Sequence, residues 1–134
     1  MNIAVINLGL KNARCMVFSD SGEKVSTASQ SVSSYVWGDC VEQDANEWWR
    51  KILIVMEEAF SRVTPDRNIA AITVTTSASC LVCIDNERKP LRRVIMVSDR
   101  RALQQCKTLE NTISFSKIKH DTGIGATPDL YIPK

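Results

Sequence analysis

Three β-forming segments follow one another before any helical period appears, and that order most constrains what the chain can fold into. Residues 2 to 8, "NIAVINL", alternate loosely and are rich in Ile and Val. Residues 13 to 19 do the same, and Val25, Thr27 and Val32 occupy strand-like positions over 24 to 32. Between the second and third segments, "SDSGEK" places Asp20, Ser21 and Gly22 where a tight reversal needs small polar residues and a positive φ, which predicts an antiparallel hairpin. The following "SVSSYVWGDC" has no sustained period and reads as a surface loop.

The helical signal comes next. Asp44 followed by Glu47 resembles a capping box with Asp in the Ser/Thr place. Trp49, Ile52, Leu53, Met56, Ala59, Phe60 and Val63 then recur at spacings of three and four, predicting one apolar helical face that ends near Thr64, before Pro65. "IAAITVTT" and "CLVCID" read as strands, "NERKP" as a turn and "RRVIMVS" as another strand, with Ser98 capping a helix through about Glu110. An antiparallel opening followed by helix-linked strands predicts an α/β fold with a mixed sheet and flanking helices. The last fifteen residues, "HDTGIGATPDLYIPK", are turn-rich and stop at Pro133 and Lys134 without a closing element, as in the first part of a longer protein.

Bulk properties narrow the class. A chain of 134 residues suits one domain, which at this size buries roughly two thirds of its unfolded surface. A formal charge of +2 offers no basic excess for a phosphate backbone, against a nucleic-acid partner. No apolar run approaches the ~18 residues of a membrane span, and the start lacks the pattern of a secretory signal. Five cysteines, Cys15, Cys40, Cys80, Cys83 and Cys106, are odd in number and sit mostly in apolar segments, as reduced thiols do, so the cytoplasm is the expected compartment. Cys80 and Cys83 form C-x-x-C, but there is no second such pair and His120 is distant, so both are expected to be core thiols.

Three places could carry chemistry. Around "NLGLKNAR", Gly9 removes a side chain that would keep a phosphate from backbone N–H groups; a plain hairpin with a glycine for geometry fits these residues as well. "VTTSASC" places Thr75, Thr76, Ser77 and Ser79 at the end of a strand, where ligands settle in open α/β sheets and where small residues also serve packing. Among the six basic residues from Arg88 to Arg101, Arg88 and Lys89 belong to a surface turn, whereas Asp99 and Arg101 suit either helix-terminal electrostatics or a substrate contact.

Together, "VINLGLKNARCMVFSDSGEKV", "VEQDANEWW", "IAAITVTTSASCLVCIDNERKPLRRVIMVSDRR" and "TGIGATPDLYIPK" resemble, in order and spacing, the first lobe of the FGGY carbohydrate kinases, xylulose kinase and its relatives. The resemblance implies a ribonuclease-H-like fold shared with actin and hexokinase. It also implies a two-lobed enzyme that moves the ATP γ-phosphoryl group to a sugar hydroxyl, of which residues 1 to 134 are the sugar-binding lobe. Its general-base aspartate and most of its nucleotide site are expected beyond Lys134, so no catalytic residue is expected within this lobe and the lobe alone is expected to be inactive. ATP and Mg²⁺ are the implied cofactors of the full-length protein, neither held tightly by this lobe. A small sugar or polyol is the implied partner, with no nucleic acid and no membrane, and a homodimer is an open assembly.

Position by position, the match is uneven. The family's Asp-x-Gly-Thr reads Asn7, Leu8, Gly9, Leu10, and Arg14 stands where the family carries Lys or Arg. This makes Asn7, Gly9, Leu10 and Arg14 the phosphate-facing set, with Asn7 at the metal position in place of a carboxylate. The family's Gly-Gln-Met-His-like stretch reads Thr76, Ser77, Ala78, Ser79, and its Trp-x-Asp-x-Arg reads Val97, Ser98, Asp99, Arg100, Arg101. The resemblance therefore assigns sugar contact to Thr76, Ser77, Ala78, Ser79, Asp99 and Arg101.

Mg²⁺ is usually held through one or two carboxylates plus substrate phosphates. Asn7 offers only a neutral oxygen, and Leu10 removes a phosphate-facing hydroxyl. Loss of one oriented donor near developing charge costs on the order of 3 kcal/mol of transition-state stabilisation. A catalytically impaired relative that binds sugar or scaffolds a partner is the alternative expectation. A ribonuclease-H-like nuclease needs clustered carboxylates for two metals, and the first strand supplies only Asn7.

Overall fold

The structure, a computed structural model, describes residues 1–64, 68–125 and 127–129, with only the backbone of Phe115. The chain forms two compact units, Met1–Ser33 with Ala45–Ser77 and Ser34–Asp44 with Ala78–Lys134.

In the first unit, strands β1 (Asn2–Leu8), β2 (Asn12–Ser19) and β3 (Lys24–Ser31) follow the predicted succession. They pair antiparallel, β1 with β2 and β2 with β3. Gly22 turns the second hairpin at φ +83°, and its N–H donates to the Ser19 carbonyl. The central strand carries Ala13, Cys15 and Val17 inward on alternate residues, the period-two signature of a sheet covered on one face.

That cover is helix α1 (Ala45–Phe60), whose Val55 and Ala59 pack with Ala4, Cys15, Val17 and Ala28. The small Ala residues let helix and sheet approach closely. A buried hydrogen bond pins the layers, the Ser26 hydroxyl donating to the Ala59 carbonyl at 2.7 Å. Met56, Ala59, Phe60 and Val63 pack on the core as expected, but Val55 is fully buried while Trp49 is 63% and Leu53 47% exposed. Spacings of three and four fit several overlapping stripes on a helix this apolar, and only docking on β2 and β3 selects among them. Glu47 accepts from both the N–H and the hydroxyl of Ser33, so its carboxylate joins the end of β3 to the first turn of α1.

Strand β6 (Ile69–Thr76) lies parallel to β1, giving the sheet order β3-β2-β1-β6 and the mixed sheet that was expected. The register sets Ile72 beside Ala4 and Val74 beside Ile6. Ala4 and Ile6 are buried, yet Ile72 and Val74 are exposed.

The second unit corrects several expectations. The segment expected as a loop, residues 31 to 40, holds β4 (Tyr35–Trp37) and the first residue of β5 (Cys40–Gln43), a hairpin closed by Gly38 and Asp39, with Gly38 at φ +53°. A two-residue turn led by glycine is a hairpin signal that the serine-rich surroundings mask. β5 then pairs with β7, which is only Val94–Ile95. "CLVCID" forms two isolated bridges, Leu81 to Ile95 and Ile84 to Pro90, instead of a strand. Cys80 and Cys83 are accordingly half-buried and not core, while Cys15 and Cys106 are buried.

Helix α2 (Leu103–Thr112) begins later than expected, with Ala102 and not Ser98 at its N-cap. A further helix, α3 (Phe115–Thr122), starts at Ser114, whose side chain accepts the Lys117 N–H, and ends at Gly123 in the left-handed region. It takes the first residues of the tail expected to be turns. The expected stop at Pro133 and Lys134 lies outside the described residues.

Candidate functional site

The predicted phosphate-facing residues meet at one end of the first sheet. Asn7 is the register partner of Arg14 on β2 and of Thr75 on β6. Paired residues in adjacent strands point to the same face, so Asn7, Arg14 and Thr75 form one row across three strands. The row lies on the face opposite α1, because Ala4, Ile6, Ala13 and Cys15, at the alternate positions, are the buried ones. It also lies at the carboxyl ends of β1 and β6, where open α/β sheets present ligands. Thr75 was not assigned to this set from sequence. Its hydroxyl was visible, but its neighbours depend on the β1–β6 register.

The turn after β1 is tied by the Gly9 N–H donating to the Asn12 carbonyl at 2.9 Å. A Cβ on Gly9 would meet the Asn12 carbonyl at 3.5 Å and Asn7 Oδ1 at 3.6 Å, which is ordinary contact, and the backbone is not left-handed there. Neither turn geometry nor local packing therefore requires this glycine. Leu10 is 43% exposed and Arg14 is exposed.

The residues assigned to sugar fall in both units. Thr76 ends β6, and the Ser77 N–H donates to the Leu8 carbonyl, which binds the end of β6 to the end of β1. Ala78 and Ser79 belong to the second unit. Ser79 has φ +62°, a conformation that a residue with a Cβ adopts only at a cost of order 1–3 kcal/mol.

Asp99 and Arg101 are brought together by the structure. Asp99 is fully buried. Its carboxylate accepts from Arg101 Nε and Nη2 at 2.8–3.0 Å, from the Arg101 backbone N–H at 3.0 Å and from the Val41 N–H at 2.7 Å. The bond to the backbone two residues on turns the chain and delays α2. Arg101 Nη2 also reaches Glu42, which is 7% exposed and accepts Arg92 Nη2 at 2.6 Å. Burial alone would raise the Asp99 pKa; the hydrogen bonds from Arg101 and Val41 and the guanidinium charge outweigh it and hold the carboxyl below its ordinary value. The Asp99 and Glu42 bonds push Arg101 upward in turn, so both stay ionised. Arg93 lies 3.7 Å from the centroid of Tyr35, and Arg101 5.9 Å from that of Trp37. Glu42, central to this network, was missed from sequence because its strand, Cys40–Gln43, is too short to show a period.

Among the described residues no group of three or more His, Cys, Asp or Glu could hold a metal ion, and Asn7 stands beside a cationic Arg14. No described helix is long and apolar enough to cross a membrane.

A mixed α/β unit with an antiparallel three-strand opening, a parallel fourth strand and a glycine turn at the ligand end is the actin- and hexokinase-like arrangement of sugar kinases. The model of the FGGY family of carbohydrate kinases, N-terminal domain, matches residues 2–133, and the chain belongs to that family. It is 33% identical over 128 residues to a glycerol kinase of Petrotoga mobilis, covering 91% of this chain and 25% of that protein. It is 30% identical over 132 residues to a glycerol kinase of Haloferax volcanii, covering 96% and 26%.

Among solved structures, xylulose kinase from Rhodospirillum rubrum superposes with a TM-score of 0.93 at 21% identity, covering 97% of this chain and 27% of that one. Plasmodium falciparum glycerol kinase with ADP gives 0.89 at 17% identity, covering 96% and 26%. The chain thus spans about a quarter of the length of the curated relatives it matches. Sugar kinases of this family use ATP and a divalent metal in general.

Proposed function

We propose that the chain is the N-terminal, sugar-binding lobe of a longer two-lobed enzyme that transfers the ATP γ-phosphoryl group to a hydroxyl of a pentulose-like or related sugar. The observation that carries this reading is the row Asn7–Arg14–Thr75 beside Gly9 at the ligand end of the first sheet. In phosphoryl transfer the protein supplies mainly positioning and charge neutralisation. Arg14 gives a cation toward the phosphates, the Asn7 amide and Thr75 hydroxyl give neutral polar groups, and Gly9 leaves the turn open to close approach. The sugar hydroxyl attacks phosphorus, and the base that takes its proton is assigned to the polypeptide beyond Lys134.

Sugar contact is proposed residue by residue: hydroxyls at Thr76, Ser77 and Ser79, the backbone of Ala78, and the guanidinium of Arg101. The role of Asp99 is to fix that guanidinium, since its own carboxylate is spent on Val41 and Arg101. The cytoplasm is the proposed compartment, on the strength of five cysteines that form no disulfide.

The experiment is a sugar-dependent ATP-consumption assay of the full-length polypeptide across a panel of trioses to hexoses and their polyols. Turnover with at least one member is expected, and none across the panel overturns the reading. The substitutions at Asn7 and Leu10 favour one second reading, a member that binds sugar without turning it over. Asn7→Asp together with Leu10→Thr then creates activity that the natural sequence lacks.

A further inference from the structure

Helix α1 buries one face through Val55 and Ala59 and turns the opposite one to solvent. Asn46, Trp49, Arg50, Leu53, Ile54 and Glu57 recur at spacings of three and four along that outer face, and all are exposed. The outer face of a helix that covers a sheet is ordinarily polar. Here its middle is Leu53 and Ile54, 47% and 40% exposed, with Trp49 one turn before at 63%. Adjoining apolar side chains rimmed by charge mark an interaction surface. The charged residues of this face are Arg50 and Glu57, at equal sequence distance on either side of the Leu53–Ile54 midpoint. Of the other charged residues of α1, Glu47 holds Ser33, Glu58 accepts Gln30 Nε2 at 3.1 Å and Lys51 is half-buried.

We propose that the outer face of α1 binds a second copy of this chain, the two helices packing antiparallel about a two-fold axis at the Leu53–Ile54 midpoint. A two-fold interface has to be self-complementary, since each contact occurs twice with the roles exchanged. Antiparallel packing about that midpoint sets Arg50 opposite the partner subunit's Glu57, and Glu57 opposite the partner subunit's Arg50. The two ion pairs flank a centre in which Leu53 meets the partner subunit's Ile54, while Trp49 adds a large apolar side chain beside it. Parallel packing in register would instead oppose like charges. An unrelated apolar partner needs only the apolar centre, whereas the placement of one cation and one anion equally far from it is the requirement of a second copy. The 16 residues of α1 span about 24 Å, and a single helix face of that length offers less than the ~800 Å² per partner of a standard interface. The dimer is therefore expected to exchange with monomer in the micromolar range. The inference stands independently of the sugar-kinase reading.

The test is sedimentation velocity of the full-length polypeptide from about 1 to about 100 μM, where a monomer–dimer equilibrium is expected. Arg50→Glu and Glu57→Arg should each weaken self-association at least ~10-fold, because each opposes like charges twice. An equimolar mixture of the two variants should recover the dimer, since every cross pair is then of opposite sign. Neither misfolding nor a different interface produces that recovery. Leu53→Ser, which changes no charge, should also weaken association at least ~10-fold. All three positions are exposed, so each variant is expected to keep the native circular dichroism spectrum. A monomer across the whole range, as when polypeptide beyond Lys134 covers the helix, overturns the inference. So does a dimer indifferent to both charge reversals, or a mixture of the two variants that stays monomeric. Sedimentation requires neither ATP nor sugar, so failure here is distinct from failure of the sugar-kinase reading.

Discussion

The carboxylate of Asp99 accepts the backbone N–H of Val41 at 2.7 Å across 58 residues of sequence. The same carboxylate holds Arg101, so one buried side chain joins β5 to the segment before α2. Asp99→Asn keeps an acceptor for Val41 but presents an amide N–H₂ to a guanidinium. A loss of about 3 kcal/mol is expected, the scale of breaking one partner of a buried ion pair, measured by denaturant unfolding at neutral pH.

The pH dependence of that difference follows from the lowered pKa of Asp99. Its stabilisation is fully present above the unfolded carboxylate value of about 3.9 and is lost as pH falls through the lower folded value. The gap between wild type and Asp99→Asn should therefore be flat from about pH 5 to 8 and shrink below about pH 4. Unfolding curves across that range check it, and a gap that grows on acidification would contradict the assignment.

Glu42 holds two arginines with unequal consequences. Arg101 has a side chain 26% exposed and neutralises fully buried Asp99, whereas Arg92 is 46% exposed and pairs with Glu42. Arg101→Ala leaves a buried carboxylate unpaired and should cost about 3 kcal/mol, while Arg92→Ala should cost about 1 kcal/mol or less. Thermal unfolding of the two variants side by side decides whether this ranking holds.

At Gly9 folding and binding are expected to separate. Because a methyl group there meets its neighbours at 3.5 Å or more, Gly9→Ala should change stability by no more than about 0.5 kcal/mol. If the turn admits phosphate, the same methyl group should weaken nucleotide affinity of the full-length polypeptide by roughly tenfold or more, since it occupies the space of close approach. Titration with ATP beside a denaturation curve tests both halves.

Val55 rather than Leu53 is the centre of the α1 interface, being completely buried among Ala4, Cys15 and Ala59. Val55→Ala should cost about 2 kcal/mol, the value of a fully buried side chain of this size. Unfolding free energies read this directly, and a change under ~0.5 kcal/mol would return the interface to the Trp49–Leu53 flank.

Much of the first unit was legible before the structure. β1, β2 and β3 carry their period in adjacent residues, and Gly22 closes its hairpin with local geometry alone. The second unit was less legible. Its strands β4, β5 and β7 have three, four and two residues, too short for a period to show. Ser98 had the chemistry of a cap, but Asp99 engages Val41 and Arg101 and moves the start of α2 to Leu103.

The sequence by itself determined the strand-turn-strand opening, the presence of a helix after Asp44 and the glycine at position 9, because propensity and turn chemistry act within a few residues. The tertiary structure alone decided that Thr75 joins Asn7 and Arg14, which face of α1 is buried, that Val41 meets Asp99 and that Glu42 meets Arg101. Those outcomes depend on which distant segments pair and in what register, and a shift of one residue would send each of the paired side chains to the other face of its sheet.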